Sequence, residues 1–396
     1  MAADSIEHIE AFGARLRSLG YAPFTHRAKV RFVSQFARWA QGKGLSVESI
    51  DETWIAKAVK QRPTCLMERR KALRQFLEHL RERGVAAELE PDDNDSPAAA
   101  LERCYANYLR QERGLVAVTL INYLGFIHRF LAERFRRGCV KPARLTHRDV
   151  ANFMLRQVHA MSPGRAKLMG TALRSFLGFL FLSGETTTDL SRAVPSVRQF
   201  RLAAVPKYIA VGEVERVLAS CDLTLPVGRR DHAILLLLAR LGLRGGEVVK
   251  LELGDIRWRE GDLLVRGKGR IRDRMPLPKD VGEALALYLT RDRAACPSRS
   301  VFLRMRAPQR GFLSTAAVTT IVEKAVDRSG LSPSLRGAHL LRHSLATGMI
   351  RRGATMAEIG QLLRHRSPET TELYAKVDFS GLRDVSLPWP DAGGAR

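Results

Sequence analysis

The sequence predicts a mainly helical chain of the α+β class, in which two small helical domains precede a mixed domain with helices and a small antiparallel sheet. Three observations predict this architecture. The chain has 396 residues, which is too long for one ordinary domain and suits two or three. Two segments of the first half match each other at helical spacing. One segment of the second half has two extended runs, apolar or with alternating basic residues, on either side of Gly-Lys-Gly.

Two breaks divide the chain into three predicted domains. The segment 88–97 is acidic and turn-rich and has no apolar periodicity, so it is predicted to be a linker. A second break lies near residues 192–206, where two prolines interrupt a mixed basic and apolar stretch. We therefore expect a helical domain over residues 1–88, a second helical domain over 96–190 and a mixed domain over 205–385.

The first two domains are predicted to be copies of one helical unit. Residues 72–84 and 172–184 are identical at seven of 13 positions, at an offset of 100, and residues 25–36 match 119–130 in spacing at an offset of 94. In both copies apolar residues recur at helical spacing, with polar and basic residues between them. The alternative is two unrelated amphipathic helices, which seven identities disfavour.

The net charge indicates a polyanionic partner. The chain carries 65 Lys and Arg residues against 41 Asp and Glu, a formal charge of +24, which suits DNA, RNA or an anionic membrane. The membrane is disfavoured because the longest apolar run, residues 233–243, is short and contains Arg240. Residues 1–200 and 201–396 each carry +12, an even division that is expected when both halves face the same polyanion.

Further features of the sequence concern compartment and cofactors. The N-terminal residues lack the basic and apolar regions of a secretory signal, and the five cysteines lie far apart without a Cys-x-x-Cys pair. We expect reduced cysteines and a cytoplasmic protein. No cluster of Asp and Glu is visible in the sequence to hold a metal, so neither a metal nor another cofactor is expected.

The first candidate residue for chemistry is Arg244. A strongly apolar helix is predicted over residues 230–243, and it ends at Gly-Leu-Arg244-Gly-Gly-Glu247, where two glycines mark a sharp turn. This places Arg244 at the mouth of a buried helix. Taken alone, the fragment favours an arginine that only stabilises the C-terminal end of the helix dipole.

Residues 262–278 predict a β-hairpin that carries basic side chains. Two extended runs flank Gly-Lys268-Gly, which places Lys268 at or near the tip. Basic residues alternate at period two, so they share one face in an unbroken strand and are candidates for contact with DNA: Arg266, Lys268, Arg270, Arg272 and Arg274. The alternative is a solvated edge strand that its charges protect from pairing.

A helical stretch contains His339-Leu-Leu-Arg342-His343. The spacing places His339 and Arg342 on one face and His343 one turn from His339. The zinc metalloprotease pattern needs Glu after the first histidine, and position 340 is Leu. The residue types suit an anion site lined with cations, while an ordinary amphipathic helix is the alternative.

The last candidates lie in the segment 361–374. It contains His365 at a helix end, a turn opened by Ser367-Pro368, and Tyr374 nine residues after His365. Tyr374 alone is typical of a packing tyrosine. The ordered set of candidates changes that interpretation, and its members are Arg244, Lys268, His339, Arg342, His365 and Tyr374.

With this set the sequence resembles the tyrosine recombinases, the phage-integrase type of site-specific recombinases. The family pattern of Arg-x-x-Glu, a hairpin Lys, His-x-x-Arg-His, a later His and a Tyr nine residues beyond is present in order over residues 205–376. Residues 98–185 also resemble the family's helical, SAM-like core-binding domain, and residues 1–85 an extra copy of it. One position departs from the family, which usually has Leu-Gly-His before the tyrosine where this chain has Leu-Arg364-His.

The resemblance implies cleavage and rejoining of DNA through a covalent 3′-phosphotyrosine formed by Tyr374. Arg244 and Arg342 would hold the phosphate oxygens, because guanidinium groups stay charged and bind two oxygens at once. It implies that Lys268 protonates the leaving 5′ oxygen as a general acid. His339 would orient the nucleophile or accept its proton, and His365 would hydrogen-bond a phosphate oxygen. The reaction needs no ATP and no metal.

The implied partner is double-stranded DNA, clamped between the helical and mixed domains of the chain. Recombinases of this family work as tetramers on two DNA sites, so we expect a homo-tetramer or a hetero-tetramer with a sister recombinase, associated with the nucleoid. Residues 375–390 are apolar enough to dock on a neighbouring protomer or to pack on their own domain. Integration, excision and transposition of DNA are all compatible with the resemblance. The duplicated helical domain favours an origin in a mobile element.

Two other functions are compatible with the same residues. A type IB topoisomerase shares the Arg, Lys, His and Tyr chemistry but relaxes DNA without strand exchange, and the repeat and the His339-x-x-Arg342-His343 spacing favour recombination over it. A catalytically silent DNA-binding protein that keeps the fold is the second alternative. The bulky Arg364 in place of glycine is the feature that favours the silent protein.

Overall fold

The computed structural model describes residues 2–60, 65–86, 97–135, 140–198, 205–267 and 272–377. The chain divides into two compact units, one of residues 88–203 and the other of residues 1–87 together with 204–396. The three-domain division from the sequence stays a prediction. No described helix is both long and apolar enough to cross a membrane.

The N-terminal segment of the larger unit is helical. Its helices are α1 (Ala2–Ser18), α2 (Pro23–Gln41), α3 (Glu52–Lys60) and α4 (Leu66–Glu82). They enclose an apolar core that includes Phe12, Val33, Phe36 and Phe76. Burial of such side chains stabilises a small bundle by about 1.5–3 kcal/mol each.

The smaller unit has the same succession of helices, α5 (Pro97–Gln111), α6 (Ala117–Arg134), α7 (His147–Val158) and α8 (Pro163–Leu182). Helix α7 begins at a capping box in which Asp149 N–H donates to Thr146 and Thr146 N–H donates to Asp149. Five of the seven identical pairs of the repeat occupy corresponding buried positions of α4 and α8, namely Ala72, Leu73, Phe76, Leu77 and Leu80, and Ala172, Leu173, Phe176, Leu177 and Leu180. Core packing therefore accounts for most of the identity between the two segments.

The remainder of the larger unit, residues 205–377, surrounds a second core. Its elements are α9 (Val211–Ala219), α10 (Pro226–Arg240), α11 (Gly245–Lys250), β1 (Ile256–Arg257), β2 (Asp262–Arg266), β3 (Arg272–Pro276), α12 (Lys279–Arg291), α13 (Ala316–Arg328), α14 (Ala338–Ile350), α15 (Met356–Leu362) and the 3-10 helices Pro368–Thr370 and Glu372–Val377. Helix α10 lies at the centre, with every residue from Ala233 to Ala239 buried. The sequence placed this helix at 230–243, a few residues too late, because Pro226 supplies its first turn.

The strands form a small antiparallel sheet in the order β1-β2-β3. Within the hairpin, Leu264 lies opposite Arg274 and Arg266 lies opposite Arg272. Leu263, Val265 and Met275 turn to the buried side, so the arginines share the other face, as the alternation predicts. The mainly helical α+β class and the hairpin are thus confirmed. The hairpin tip, with Lys268 and Arg270, lies outside the described residues.

Candidate active site

Tyr374 lies in the last 3-10 helix, where its ring is part of a small apolar cluster. Only 2% of the residue is exposed, and its neighbours include Ala346, Ile359 and Leu363. A buried tyrosine needs a hydrogen-bond partner for its hydroxyl. The Tyr374 hydroxyl has its partner on α14, where it lies 2.8 Å from His343 Nδ1. The two rings are 5.6 Å apart between centroids. The candidate nucleophile is therefore held by a side chain of the His-x-x-Arg-His motif.

His343 was not among the catalytic residues predicted from the sequence. The available signal was its place next to Arg342 and one turn after His339, but this spacing does not indicate which distant residue the imidazole contacts. In the structure the His339 and His343 rings are 6.1 Å apart between centroids. Among the described residues, the Tyr374 hydroxyl is hydrogen-bonded to His343 and not to His339.

His365 packs flat against Tyr374. The two rings are nearly parallel, at an angle of 3° and a centroid distance of 6.4 Å. The His365 Nδ1 atom lies 2.8 Å from the hydroxyl of the buried Thr371, which fixes the orientation of the imidazole and leaves Nε2 for a ligand. His365 and Tyr374, two members of the ordered set, are thus neighbours in the structure, and Thr371 is a partner that no motif indicated.

Arg342 is the most deeply buried cation of the site, with 3% of the residue exposed. Its guanidinium donates to the backbone oxygens of Gly242 and Leu363, which joins the end of α10 to the end of α15. Gly242 is required there because its φ is +57° and a Cβ atom would lie 2.7 Å from the Leu363 side chain. Two of the five guanidinium N–H groups make these bonds, so others are available to an anion.

Arg244 caps the N-terminus of α11 and is more accessible than Arg342. Its side chain is 39% exposed, and Nη1 lies 2.9 Å from Glu247 Oε1. The Arg244 backbone N–H donates to Glu247 Oε2 at 2.8 Å. This capping interaction fixes Glu247 against the first turn of α11. The guanidinium is therefore anchored on one side and open on the other.

Arg364, the residue that departs from the family pattern, adopts φ of +53°. This is the left-handed region in which glycine is free of steric cost and arginine is not. The side chain turns inward, with 8% exposed, and its Nη2 atom lies 2.7 Å from Glu247 Oε2. The chain thus keeps the backbone conformation of a glycine turn while it adds a buried guanidinium to the site.

Burial and the surrounding cations lower the pKa values of the histidines and of Arg342 in the site. Burial, with help from His339 and Arg342, lowers the pKa of His343 to about 4. Burial, followed by Arg342 and Arg244, lowers the pKa of His365 to about 4, and the same causes lower that of His339. Burial and then Arg244 lower the pKa of Arg342 to about 10. Further positive charge is therefore disfavoured, and an anion is favoured.

Burial raises the pKa of Tyr374, although Arg342 and Arg244 oppose the shift. The phenol is therefore protonated at neutral pH and can donate its hydrogen bond to the neutral His343. The two arginines already act in the direction that favours the phenolate. Among the described residues no three His, Cys, Asp or Glu side chains cluster as metal ligands do.

These shifts predict how the stability of the chain depends on pH. We expect stability to fall as the pH falls from about 6.5 to about 4, because the unfolded chain binds protons on His343 and His365 in that range and the folded chain does not. Urea unfolding at several pH values in this range measures the effect. His343→Gln should reduce the change of the free energy of unfolding with pH. The control His128→Gln, at an exposed histidine of the other unit, should leave that change as in wild type. Equal curves for all three proteins would contradict the assignment.

The hairpin arginines that were candidates for DNA contact differ in their surroundings. The Arg266 guanidinium pairs with Glu252 at 2.8 Å and with Asp255 at 2.9 Å, so acidic side chains of the chain already neutralise it. Arg272 and Arg274 are exposed on the same face of the sheet. The structure therefore leaves Arg272 and Arg274 as the more accessible cations of the described hairpin.

Comparisons with known proteins were made on both sequence and structure. Residues 207–380 match the family described as the phage integrase family. The chain is 41% identical over 389 residues to the "Putative integrase/recombinase y4rA" of Sinorhizobium fredii, a match that covers 97% of this chain and 94% of that protein. It is 31% identical over 302 residues to the tyrosine recombinase XerD of Mycobacterium tuberculosis, which covers 71% of this chain and 94% of XerD.

Solved structures of low sequence identity share the fold. The XerH site-specific recombinase bound to a palindromic difH substrate superposes with a TM-score of 0.56 at 19% identity, covering 89% of this chain and 93% of XerH. A lambda integrase from a tetramer bound to a Holliday junction gives a TM-score of 0.53 at 19% identity, covering 76% of this chain and 85% of that chain. Both similarities span helical and mixed segments.

Proposed function

The chain belongs to the phage integrase family and is a tyrosine-type site-specific DNA recombinase, and on that premise we propose that Tyr374 is its nucleophile. The observation that carries the proposal is the environment of the Tyr374 hydroxyl. It is buried, hydrogen-bonded to His343, and close enough to Arg342 and Arg244 for their charges to act on it. A phenol in such a position can be activated by a neighbouring base and by cations.

The proposed reaction is a pair of transesterifications. The Tyr374 oxygen attacks a backbone phosphorus, the bond from phosphorus to the 5′ oxygen breaks, and the leaving 5′ oxygen takes up a proton. The product is a 3′-phosphotyrosine and a free 5′ hydroxyl. Because the phosphoester bond is conserved in the adduct, a 5′ hydroxyl from a partner strand can attack it, release Tyr374 and complete strand exchange without ATP.

Three further side chains of the site have roles that their positions support. Negative charge grows on the non-bridging oxygens as the attack proceeds, so fixed guanidinium groups lower the barrier. We assign this role to Arg342, which is held by two carbonyls, and to Arg244, which is open on one side. His365, oriented by Thr371, is assigned a hydrogen bond to a phosphate oxygen.

The reaction needs two proton transfers, one from the Tyr374 hydroxyl and one to the leaving 5′ oxygen, and each is assigned to a different residue. His343 accepts the hydrogen bond of the Tyr374 hydroxyl and is placed to take its proton. His339, whose ring lies next to that of His343, stays a predicted participant. Lys268 is proposed as the acid that protonates the leaving oxygen, and it lies outside the described residues.

The proposed partner is duplex DNA, bound by a homo-tetramer or by a hetero-tetramer with a sister recombinase, in the cytoplasm at the nucleoid. The formal charge of +24 supports this partner. XerH and lambda integrase are recombinases whose solved structures contain DNA, and the lambda integrase is a tetramer on a Holliday junction. Most of the segment 375–390 that was expected to dock or pack lies outside the described residues.

The salt dependence of DNA binding measures how many phosphates the chain neutralises. We expect a double-logarithmic slope of about −5 or steeper, since each neutralised phosphate contributes about 0.9. Replacing the exposed Arg272 and Arg274 by Gln should reduce the slope by about 2 if both contact phosphates. The control is Arg240→Gln, because Glu215 and Asp280 already pair with that arginine. A slope near zero in wild type would exclude the proposed clamp.

Strand exchange separates recombination from its two alternatives. The substrate is a plasmid with two copies of a duplex that the wild-type chain selects, by binding, from fragments of the DNA that flanks its own gene. A recombinase yields recombinant circles, a type IB topoisomerase relaxes supercoils without exchange, and a silent protein binds without either product. Recombinant circles are the expected result.

A further inference from the structure

Arg364 and Arg244 share a single carboxylate, that of Glu247. Glu247 Oε1 accepts from Arg244 Nη1 at 2.9 Å, and Oε2 accepts from Arg364 Nη2 at 2.7 Å and from the Arg244 backbone. The residue Glu247 is 6% exposed and the Arg364 side chain 8%. A buried carboxylate therefore lies between two guanidinium groups, one of them open to a ligand.

The charge balance of this cluster depends on Arg364. A buried carboxylate paired only with Arg244 makes a neutral pair, and the field of Arg244 on a bound phosphate is then largely cancelled. With Arg364 present, the cluster of three residues carries a net charge of +1. The family usually has glycine at this position, so this chain differs from the usual pattern in the charge of its site and not only in its turn.

We propose that Arg364 is a positioning residue of the recombinase site, which acts by compensating the charge of Glu247 and so leaves Arg244 anchored but still able to hold a phosphate. This inference rests on the proposed function, because it takes Arg244 to be a phosphate ligand. It explains why a bulky cation is tolerated in a left-handed turn at the site. With φ at +53°, the Arg364 side chain is held inward by its ion pair with Glu247.

Other features of the site agree with this role. Burial tends to raise the pKa of Glu247, but Arg364 first and Arg244 second outweigh it, so the pKa is lowered and the carboxylate stays ionised. Arg364 Nη1 donates to Leu362 O at 3.1 Å and also contacts Met275 Sδ of β3. Its buried Nε has no hydrogen-bond partner among the described residues. The side chain is thus tied to three elements, α11, β3 and the end of α15.

The test is a charge-balance cycle on the full chain. Single-turnover formation of the covalent adduct is followed on a nicked duplex, at saturating protein, for wild type, Arg364→Gln, Glu247→Gln and the double variant. The duplex is one that wild type selects by binding and cleaves. We expect Arg364→Gln to lower the rate by about 10- to 100-fold, the usual effect of removing a group that orients a direct ligand, with a much smaller change in the Kd for DNA.

The double variant carries the decisive result. In Arg364→Gln the negative charge of Glu247 is no longer compensated by Arg364, and Glu247→Gln removes that charge while its amide oxygen can still cap α11. The double variant should therefore cleave faster than Arg364→Gln by about 5-fold or more. Arg364→Lys, which keeps the charge, should retain most of the rate. A role in stability alone predicts no recovery by Glu247→Gln, and that outcome would overturn the proposal.

Folding defects and failure of the proposed function give different patterns. If Arg364→Gln does not fold, Arg364→Gly takes its place, because glycine is unstrained in this turn, and the same loss and recovery are expected. A rate equal to wild type in folded Arg364→Gln or Arg364→Gly overturns the inference while wild-type cleavage stands. Absence of any wild-type adduct on every DNA that the chain binds would instead overturn the proposed function, and the inference with it.

Discussion

Replacing Tyr374 by Phe is expected to abolish the covalent protein–DNA adduct while the fold and the DNA binding are retained. Phenylalanine keeps the ring that packs against His365 and Leu363 and removes only the oxygen. His343 then loses its hydrogen-bond partner, which costs about 1 kcal/mol of stability. Because the hydroxyl is the attacking atom, no residual cleavage through this site is expected.

The adduct is measured on a nicked suicide duplex, in which loss of a short fragment traps the phosphotyrosine, followed by a denaturing gel. The matched control is Tyr288→Phe, a second buried tyrosine of the same unit whose hydroxyl accepts from the Leu303 N–H at 3.1 Å. Tyr288→Phe should lose stability and still form the adduct. An adduct with Tyr374→Phe of the same yield as wild type would show that another residue is the nucleophile.

Replacing Arg342 by Lys is expected to lower the rate of cleavage by about 100- to 1,000-fold, the usual effect of losing one preorganised donor to a developing oxyanion. The guanidinium of Arg342 donates to Gly242 O and Leu363 O and still has N–H groups for a phosphate. A lysine ammonium has a single centre and cannot span both carbonyls and an anion. Single-turnover cleavage at saturating protein measures the loss.

Stability must be measured alongside, because the substitution also removes a buried hydrogen-bond network. Arg230→Lys is the control: Arg230 is 7% exposed, pairs with Asp231 and is not part of the site. It should lower the melting temperature and leave the cleavage rate of the folded protein unchanged. Equal cleavage rates for wild type and Arg342→Lys would remove Arg342 from the proposed phosphate site.

Much of the fold followed from patterns that are local in the chain. The repeat between residues 72–84 and 172–184 indicated two related helical segments, and five of its seven identities prove to be buried positions of α4 and α8. The alternation through residues 262–278 predicted the hairpin, because strand side chains alternate between faces. The error in the bounds of α10 came from its start, where Pro226 begins the helix before the apolar run does.

The candidate site was predicted only in part. The ordered motif identified Arg342, His365 and Tyr374, which the structure brings together. It did not identify His343 as the partner of the Tyr374 hydroxyl, since the two residues are 31 positions apart and only packing makes them neighbours. Arg266 was a candidate for DNA contact, and its pairing with Asp255 and Glu252 depends on how the sheet folds over the preceding turn.

The sequence by itself determined the mainly helical α+β class, the hairpin and the residue types available for phosphoryl transfer, because these depend on composition, periodicity and spacing along the chain. The tertiary structure alone decided which of those residues meet. Arg342 reaches Gly242 across 100 positions, and Arg364 reaches Glu247 across 117. Such contacts arise from the packing of helices whose apolar faces can be recognised locally, but whose partners are set by the whole core.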